Sequence, residues 1–476
     1  MEKLVLTKDQ QTAFDKFVDF VNDSSARVFI LKGYAGTGKT TLVRKLIEEL
    51  NNQNQKFTLL ASTGRAAKIL SNATGCVAKT VHGEIYRFQS LNQDLENVAK
   101  QRELLKTDNT GQLLLNFELV EADKECDGKQ KFYIVDESSM VPDVAENNPS
   151  QAQFGSGRLL ADLFRYDDYG KFVFVGDVCQ LPPITQSISP ALSAEYVKSV
   201  FGYTCYEAEL TEVVRQSAGV DIVQSAHRVR HLYSHPQYGN WAKFPFRGYR
   251  DIHILNSQMS LIDQYIHQIQ SGGFNSATML CYSNKQCDMS TRLVRPHFGH
   301  LSYELDKGDL LLVTQNNLCS GLMNGDLVTV EDIATSERRA GMTFLKVSVK
   351  ELFTKRVYSL LLIADVLYGN QTNVSSVQQK ELFMDYYCRM KDKGISHKSK
   401  EFERHMWDDP YLNALRAVFG YALTCHKSQG GEWDYVYLDI PRNVPGFEKP
   451  YVYQWIYTAM TRAKKGLYVV DNFWVE

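Results

Sequence analysis

Gly33-Tyr34-Ala35-Gly36-Thr37-Gly38-Lys39-Thr40 constrains this chain more than any other stretch, because it stands where an apolar strand over 27–31 turns into a helix beginning near Thr41. The pattern G-x-x-x-x-G-K-T needs glycines so that backbone N–H groups can turn inward around phosphate oxygens, an approach that side chains would block. Lys39 is then placed to reach the β and γ phosphates of a nucleoside triphosphate, and the Thr40 hydroxyl to ligate Mg²⁺. The start of the following helix adds unpaired N–H groups and the favourable end of its dipole, which extends the cradle to Thr41. A plain glycine turn is the bland alternative, but a strand before and a helix after are the context a phosphate loop requires. ATP with Mg²⁺ is the expected cofactor pair.

A chain of 476 residues, 44% of them hydrophobic, can bury several cores, and two to four domains are expected. It has no apolar run of about 18 residues. Met1-Glu2-Lys3-Leu4 lacks the basic-then-apolar layout of a signal peptide, so a cytoplasmic protein without membrane partners is expected. The nine cysteines are odd in number and form no C-x-x-C pair, which predicts reduced thiols and no zinc site. A net charge of −2 gives no global basic field, so a nucleic-acid partner would have to be drawn by a local groove.

Along the chain, Thr7 reads as the N-cap of an amphipathic helix with Ala13, Phe14, Phe17, Val18 and Val21 on one face. Gln10, just ahead of the phosphate loop, carries an amide able to pair with an adenine edge; otherwise it is a surface glutamine. A buried strand over 57–61 runs into Ser62-Thr63-Gly64-Arg65-Ala66-Ala67, and Thr80-Val81-His82 follows. Such turns sit at the carboxyl edge of a parallel sheet, where ligands bind in open α/β folds, and a capped helix start explains each equally well. Residues 84–131 break the α/β rhythm with a charged helical stretch over 92–106, alternation at Leu113, Leu115, Phe117 and Leu119, and a turn at Asp127-Gly128. They read as an insertion carrying a β-hairpin. The strand over 132–135 delivers Asp136 and Glu137, suited to holding Mg²⁺ and to orienting the attacking water; the strand over 171–175 leads to Asp177 and Gln180, the latter placed to sense a γ phosphate.

In this order the motifs resemble the B-type branch of superfamily-one DNA helicases, the RecD/Dda-like group. The second half extends the likeness through Leu210-Thr211-Glu212-Val213-Val214-Arg215-Gln216, Tyr282-Ser283-Asn284-Lys285, Thr424-Cys425-His426-Lys427-Ser428-Gln429-Gly430-Gly431-Glu432 and Tyr457-Thr458-Ala459-Met460-Thr461-Arg462-Ala463. Tyr34 replaces a proline common in the group, Ser283 a threonine, and Thr291 stands where asparagine is common. The resemblance implies an α/β fold with two RecA-like parallel-sheet motor domains, ATP between them, and 5′ to 3′ travel on single-stranded DNA. Residues 1–84 and 131–212 are expected to form the first motor, 85–130 an inserted hairpin that by its position alone is a candidate wedge, and 213–320 with 415–476 the second motor. Alternation over 324–330, 344–349 and 356–360 matches the group's SH3-like β-barrel insertion, which with a helical stretch would fill 321–414.

The resemblance also assigns roles. Lys39, Asp136, Glu137, Gln180, Arg215 and Arg462 are expected to carry catalysis. A transferring γ phosphate needs positive charge on both sides, which gives the two arginines their physical sense. Gly430 and Glu432 would meet the γ phosphate and the ribose. Thr63, Gly64, Arg65, Thr80, His82, Ser283, Asn284, Thr424 and His426 would contact the strand through groups that carry no base preference. Expected partners are single-stranded DNA and duplex junctions for a monomeric motor. An RNA helicase or ribonucleoprotein remodeller is the alternative, since these motifs do not read the sugar. Intact catalytic residues weigh against a non-motor binding module.

Overall fold

The computed structural model describes residues 6–105, 111–123, 130–145, 151–184, 186–214, 219–236, 242–442 and 449–476. The first half is built on six parallel strands in the order Ala78–Thr80, Phe57–Ala61, Phe132–Asp136, Lys171–Gly176, Val28–Gly33, Cys205–Leu210. Its central strands are continuous apolar runs because helices cover both faces. Phe17 and Phe20 of the helix Lys8–Asn22 and Leu42 and Leu46 of the helix Lys39–Asn52 pack on Phe29 and Leu31 from one side; Leu160 and Leu163 of the helix Leu159–Tyr166 pack with Ile30 and Phe174 from the other. The strand order sets the carboxyl ends of Val28–Gly33, Lys171–Gly176 and Phe132–Asp136 side by side, which gathers the phosphate loop, Asp177 and Asp136 at one edge.

A second parallel sheet runs Ile252–Leu255, Ala463–Val470, Trp433–Asp439, Ala277–Cys281, Ala422–Thr424. Between its strands is inserted an antiparallel sheet ordered Val357–Ile363, Met342–Glu351, Leu327–Arg339, Leu310–Val313, Ala417–Phe419. A bridge between Leu362 and Leu415 ties its two ends together. This sheet overruns the expected limits of 321–414 on both sides, because the flanking runs 310–313 and 417–419 find their hydrogen-bond partners in it rather than in the parallel sheet.

The insertion in the first half also differs from expectation. Leu115–Leu119 does not form a hairpin with a neighbour across Asp127-Gly128, a turn that lies outside the described residues; it pairs antiparallel with Tyr86–Leu91 and parallel with Ala152–Phe154. Alternation reveals that one face of a strand is buried, but leaves its partner open. The helices Ser376–Asp392 and Lys400–Asp408 join the two insertions. Phe383, Tyr386, Met390, Phe402 and Met406 share a core with Leu95, Val98 and Leu113, while Leu382 packs with Met342 and Phe344. Among the described residues no helix is long and apolar enough to cross a membrane.

Lys171 fastens the first helix to this frame. It is 1% exposed, and its Nζ donates to the Phe20, Val21 and Asp23 carbonyls at 2.6, 3.1 and 2.8 Å. The Phe20 and Val21 carbonyls are ones that the end of the helix Lys8–Asn22 leaves without an intrahelical partner, whereas the Asp23 carbonyl also accepts from the Ala26 N–H at 3.2 Å. Lys171→Ala strands the Phe20 and Val21 acceptors in a buried site and should cost on the order of 3 kcal/mol of stability, measured by denaturant unfolding; a loss within about 0.5 kcal/mol would contradict this account.

Candidate nucleotide cleft and nucleic-acid cavity

Gly36 and Gly38 adopt φ of 78° and 77°, the left-handed region that glycine enters without strain. A Cβ on Gly38 would also stand 2.5 Å from Gln10 Nε2. Gln10 is 3% exposed and spends its amide within the protein: Oε1 accepts from the Thr7 N–H at 3.1 Å in a capping box, and Nε2 donates to the Thr37 carbonyl at 3.0 Å. It therefore braces the phosphate loop here, and its pairing with adenine would require exchange of these bonds. Lys39 Nζ folds back onto the Gly33 and Tyr34 carbonyls at 2.7 and 3.3 Å. The helix it opens, Lys39–Asn52, starts two positions before Thr41, and Thr40 is exposed in its first turn.

Across the sheet edge, Glu137 takes a left-handed φ of 51°, and its N–H donates to Asp136 Oδ1 at 2.9 Å. Burial, then the Glu137 carboxylate, pushes the Asp136 carboxyl up to about 6, while Lys39 pulls it down. Asp177, 1% exposed, is also raised by burial and also opposed by Lys39. Lys39 thus shares one electrostatic neighbourhood with three carboxylates. Gln180 Oε1 is buried and, among the described residues, accepts no hydrogen bond. An ammonium, adjacent carboxylates, an exposed hydroxyl and an orphaned amide oxygen fit a magnesium-bound triphosphate.

The second half reaches this edge directly. Tyr457, in the helix Tyr451–Met460, accepts from the Ala35 N–H at 3.0 Å and donates to Asp177 Oδ2 at 2.7 Å. Beside it the Leu181 N–H donates to Thr458 Oγ1 at 2.9 Å, and Gln454 Nε2 donates to the Gln180 carbonyl at 3.3 Å. Arg230 lies 3.7 Å from the centroid of the Tyr34 ring, so the tyrosine that departs from the usual proline serves as a platform for a cation. Neither Tyr457 nor Arg230 stood out as a site residue in the sequence.

Arg462 is 5% exposed and donates from Nε to the Thr458 carbonyl at 3.1 Å and from Nη1 to the Gly431 carbonyl at 3.3 Å. Among the described residues no carboxylate pairs with it. Arg215 lies outside the described residues; the residue before it, Val214, donates its N–H to the Gly36 carbonyl at 3.0 Å. Gly430 adopts φ of 74°, and a Cβ there would stand 3.3 Å from Ala66 of the helix Gly64–Thr74. Glu432 is exposed.

Thr63, Gly64, Arg65, Thr80, His82, Ser283, Asn284, Thr424 and His426 all line one cavity of about 980 Å³ between the two halves. Thr63, Thr80 and Ser283 are also N-caps, accepting from the Ala66, Gly83 and Gln286 N–H groups at 3.2, 3.1 and 3.2 Å. Burial lowers His82 to about 4, so it presents a neutral ring, 5.1 Å from Phe154. Arg65 lies 4.6 Å from the Trp433 ring. Sequence reasoning passed over Phe117, Phe154, Gln151 and Arg416 in the wall, and left Trp407 unassigned. The pairing of Phe117 and Phe154, stacked at 4.7 Å, depends on a parallel strand contact that no local pattern announces.

Residues 5–233 match the family described as an AAA domain, and residues 419–470 match the UvrD-like helicase C-terminal domain. The chain is 23% identical to an uncharacterized protein of Acanthamoeba polyphaga mimivirus, over 97% of this chain and 98% of that one. It is also 23% identical to the ATP-dependent RecD2 DNA helicase of Deinococcus radiodurans, over 96% of this chain and 48% of that one, so it spans about half the length of that relative. Among solved structures, Pif1 helicase from Bacteroides in complex with ADP-AlF3 and ssDNA shares the fold with a TM-score of 0.50 at 16% identity, covering 99% of this chain and 93% of that one.

The raised Asp136 carboxyl sets a pH dependence. An acid whose proton is held more tightly in the folded than in the unfolded state lowers stability as pH rises from near 3.8 to about 6, and the penalty persists above. Asp136→Asn should therefore raise the melting temperature of the nucleotide-free and magnesium-free protein at about pH 8, with the gain shrinking towards about pH 4. Scanning calorimetry across that range checks it, and a variant less stable than the parent at the upper end would refute it.

Proposed function

We infer, from a chain that belongs to the RecD/Dda-like group of superfamily-one B-type helicases, that this protein is an ATP-driven DNA helicase which moves 5′ to 3′ along single-stranded DNA and separates duplex strands. The observation that carries the reading is the docking of the helix Tyr451–Met460 from the second sheet onto the phosphate loop of the first, while the cavity is walled by both halves. Events at the triphosphate and grip on a strand are then coupled through the same two bodies.

Gly33, Tyr34, Ala35, Gly36, Thr37, Gly38, Lys39, Thr40 and Thr41 hold the phosphates, with Lys39 leaving its carbonyl partners for phosphate oxygens. Thr40 and Asp136 would hold Mg²⁺, which supplies neutralising charge to the phosphates when bound. Glu137 orients the attacking water and accepts its proton; Gln180 offers its free oxygen to that water or to a γ-phosphate hydroxyl. Arg462 and Arg215 bring positive charge from the second half as the cleft tightens. In the cavity, Thr63, Thr80, Ser283 and Thr424 contact phosphate oxygens while Phe154 and Trp407 offer faces for bases, a combination that tolerates any sequence. The two parallel sheets are read as RecA-like motors, the antiparallel sheet with its tied ends as an SH3-like barrel, and the strands Tyr86–Leu91 and Leu115–Leu119 as the base of a wedge.

Partial duplexes with a single-stranded 5′ or 3′ tail test the reading. Unwinding is expected for the 5′-tailed substrate in ATP and Mg²⁺ and should be absent with Lys39→Ala, whose hydrolysis falls on the order of a thousandfold. Unwinding of the 3′-tailed substrate alone would refute the direction. Replacing residues 92–114 with a short Gly/Ser connection should preserve strand-stimulated hydrolysis and abolish unwinding; undiminished unwinding would remove the wedge.

A further inference from the structure

Arg416 stands directly before the strand Ala417–Phe419, is 6% exposed, and lines the same cavity. Its surroundings differ from those of two other arginines in the second half, the buried Arg295 and the half-buried Arg389. Arg295 is paired through two nitrogens with Asp309, at 2.9 and 2.7 Å, and Arg389 is paired with both Asp409 and Asp385. Arg416 meets only amides. Its Nη1 donates to Gln151 Oε1 at 2.8 Å, to Asn373 Oδ1 at 2.9 Å and to Gln315 Oε1. Among the described residues its Nε and Nη2 donate to no protein group and no carboxylate faces it. Burial lowers its pKa to about 10, still far above neutrality, so it remains a cation.

Amide oxygens satisfy hydrogen bonds without cancelling charge, so this guanidinium keeps a whole positive charge in a poorly solvated wall. Such a charge is tolerable where an anion completes it. The amides that hold it come from three places: Gln151 from beside the inserted strand Ala152–Phe154, Gln315 from just beyond Leu310–Val313, and Asn373 from ahead of the helix Ser376–Asp392. Gln151 is itself fixed, donating from Nε2 to the Val374 carbonyl at 3.0 Å and accepting at its own carbonyl from Gln379 Nε2 at 3.0 Å. The cation is therefore held in place before a ligand arrives, with two donor nitrogens uncommitted.

We propose that Arg416 is a phosphate-binding subsite for the single-stranded DNA backbone in this cavity, an inference that rests on reading the cavity as the strand site. The capping hydroxyls and the neutral His82 ring add no charge, so each arginine in the wall has a visible share of the salt dependence of binding. Equilibrium binding of an oligothymidylate to the full chain, measured over a range of salt concentrations, reads that share directly. In Arg416→Gln the slope of log affinity against log salt should become shallower by about 0.7, the value for one phosphate contact on a single strand. Arg416→Lys should keep the parental slope. Gln315→Glu places a carboxylate against Nη1 and should flatten the slope by the same amount without removing the guanidinium; it decides the matter if calorimetry shows Arg416→Gln to be unfolded. A parental slope in the deciding variant overturns the subsite while strand binding stands. Absence of oligothymidylate binding by the parent chain overturns the reading of the cavity, and the subsite with it.

Discussion

The hydroxyl of Tyr457 has two partners on the far side of the cleft, the Ala35 N–H in the phosphate loop and the Asp177 carboxylate beside it. Burial and Asp177 push this phenol well above its ordinary range, so it remains a proton donor to Asp177 across all physiological pH. Around it the two halves are stitched by the Leu181 N–H on Thr458 and by Gln454 and Gln429 on the Gln180 and Leu181 carbonyls. Each such bond contributes only about 1 kcal/mol net, and a handful of them is a plausible size for an interface that must open and close. In the same state Lys39 is satisfied by the Gly33 and Tyr34 carbonyls, so an anion reaching its ammonium has to replace protein acceptors. A ligand shifts such an equilibrium only by its differential affinity for the two arrangements, and here the exchange at Lys39 supplies one.

Much of the nucleotide side was legible in the sequence because its parts are local. A glycine pattern, the strand before it and the helix after it lie within a few residues, and the strand ending in Asp136-Glu137 is a short apolar run delivering its polar end. The parallel order of those strands follows once they are recognised. Gln10 was noticed for its chemistry, yet its amide proved to be spent on Thr7 and Thr37, since spacing does not reveal which partner an amide takes. Gly430 was read for its freedom, and its φ of 74° uses that freedom, while its packing beside Ala66 depends on a helix far away in the chain.

What the sequence left hidden was created by distance along the chain. Tyr457 meets Ala35, Arg416 meets Gln151, and Phe117 meets Phe154 only after separate elements have packed. The limits of the antiparallel sheet were hidden for a similar reason: 310–313 and 417–419 are apolar runs that suit either sheet, and pairing alone assigns them. The aromatic residues of the helical stretch divided by position rather than by type, with Tyr386 and Phe402 closing a core and Trp407 left at the cavity wall.

In the cavity wall, capping a helix and offering a further hydrogen bond are compatible roles for one hydroxyl. A serine or threonine hydroxyl has one proton and two lone pairs. At Thr63, Thr80 and Ser283 a lone pair accepts from a helix N–H, which leaves the proton free for a phosphate oxygen. Capping orients the hydroxyl at no expense to its donor, and the positive end of the helix dipole lies behind it. On the proposed reading of the cavity, a polyanion would meet fixed, neutral donors on a chain of net charge −2. On that reading grip would depend on geometry that cleft closure can alter, with full charges at a few wall positions such as the half-buried Arg65 and the buried Arg416. A wall of exposed lysines would bind a strand as tightly in every state, and a motor needs affinity that changes with its fuel.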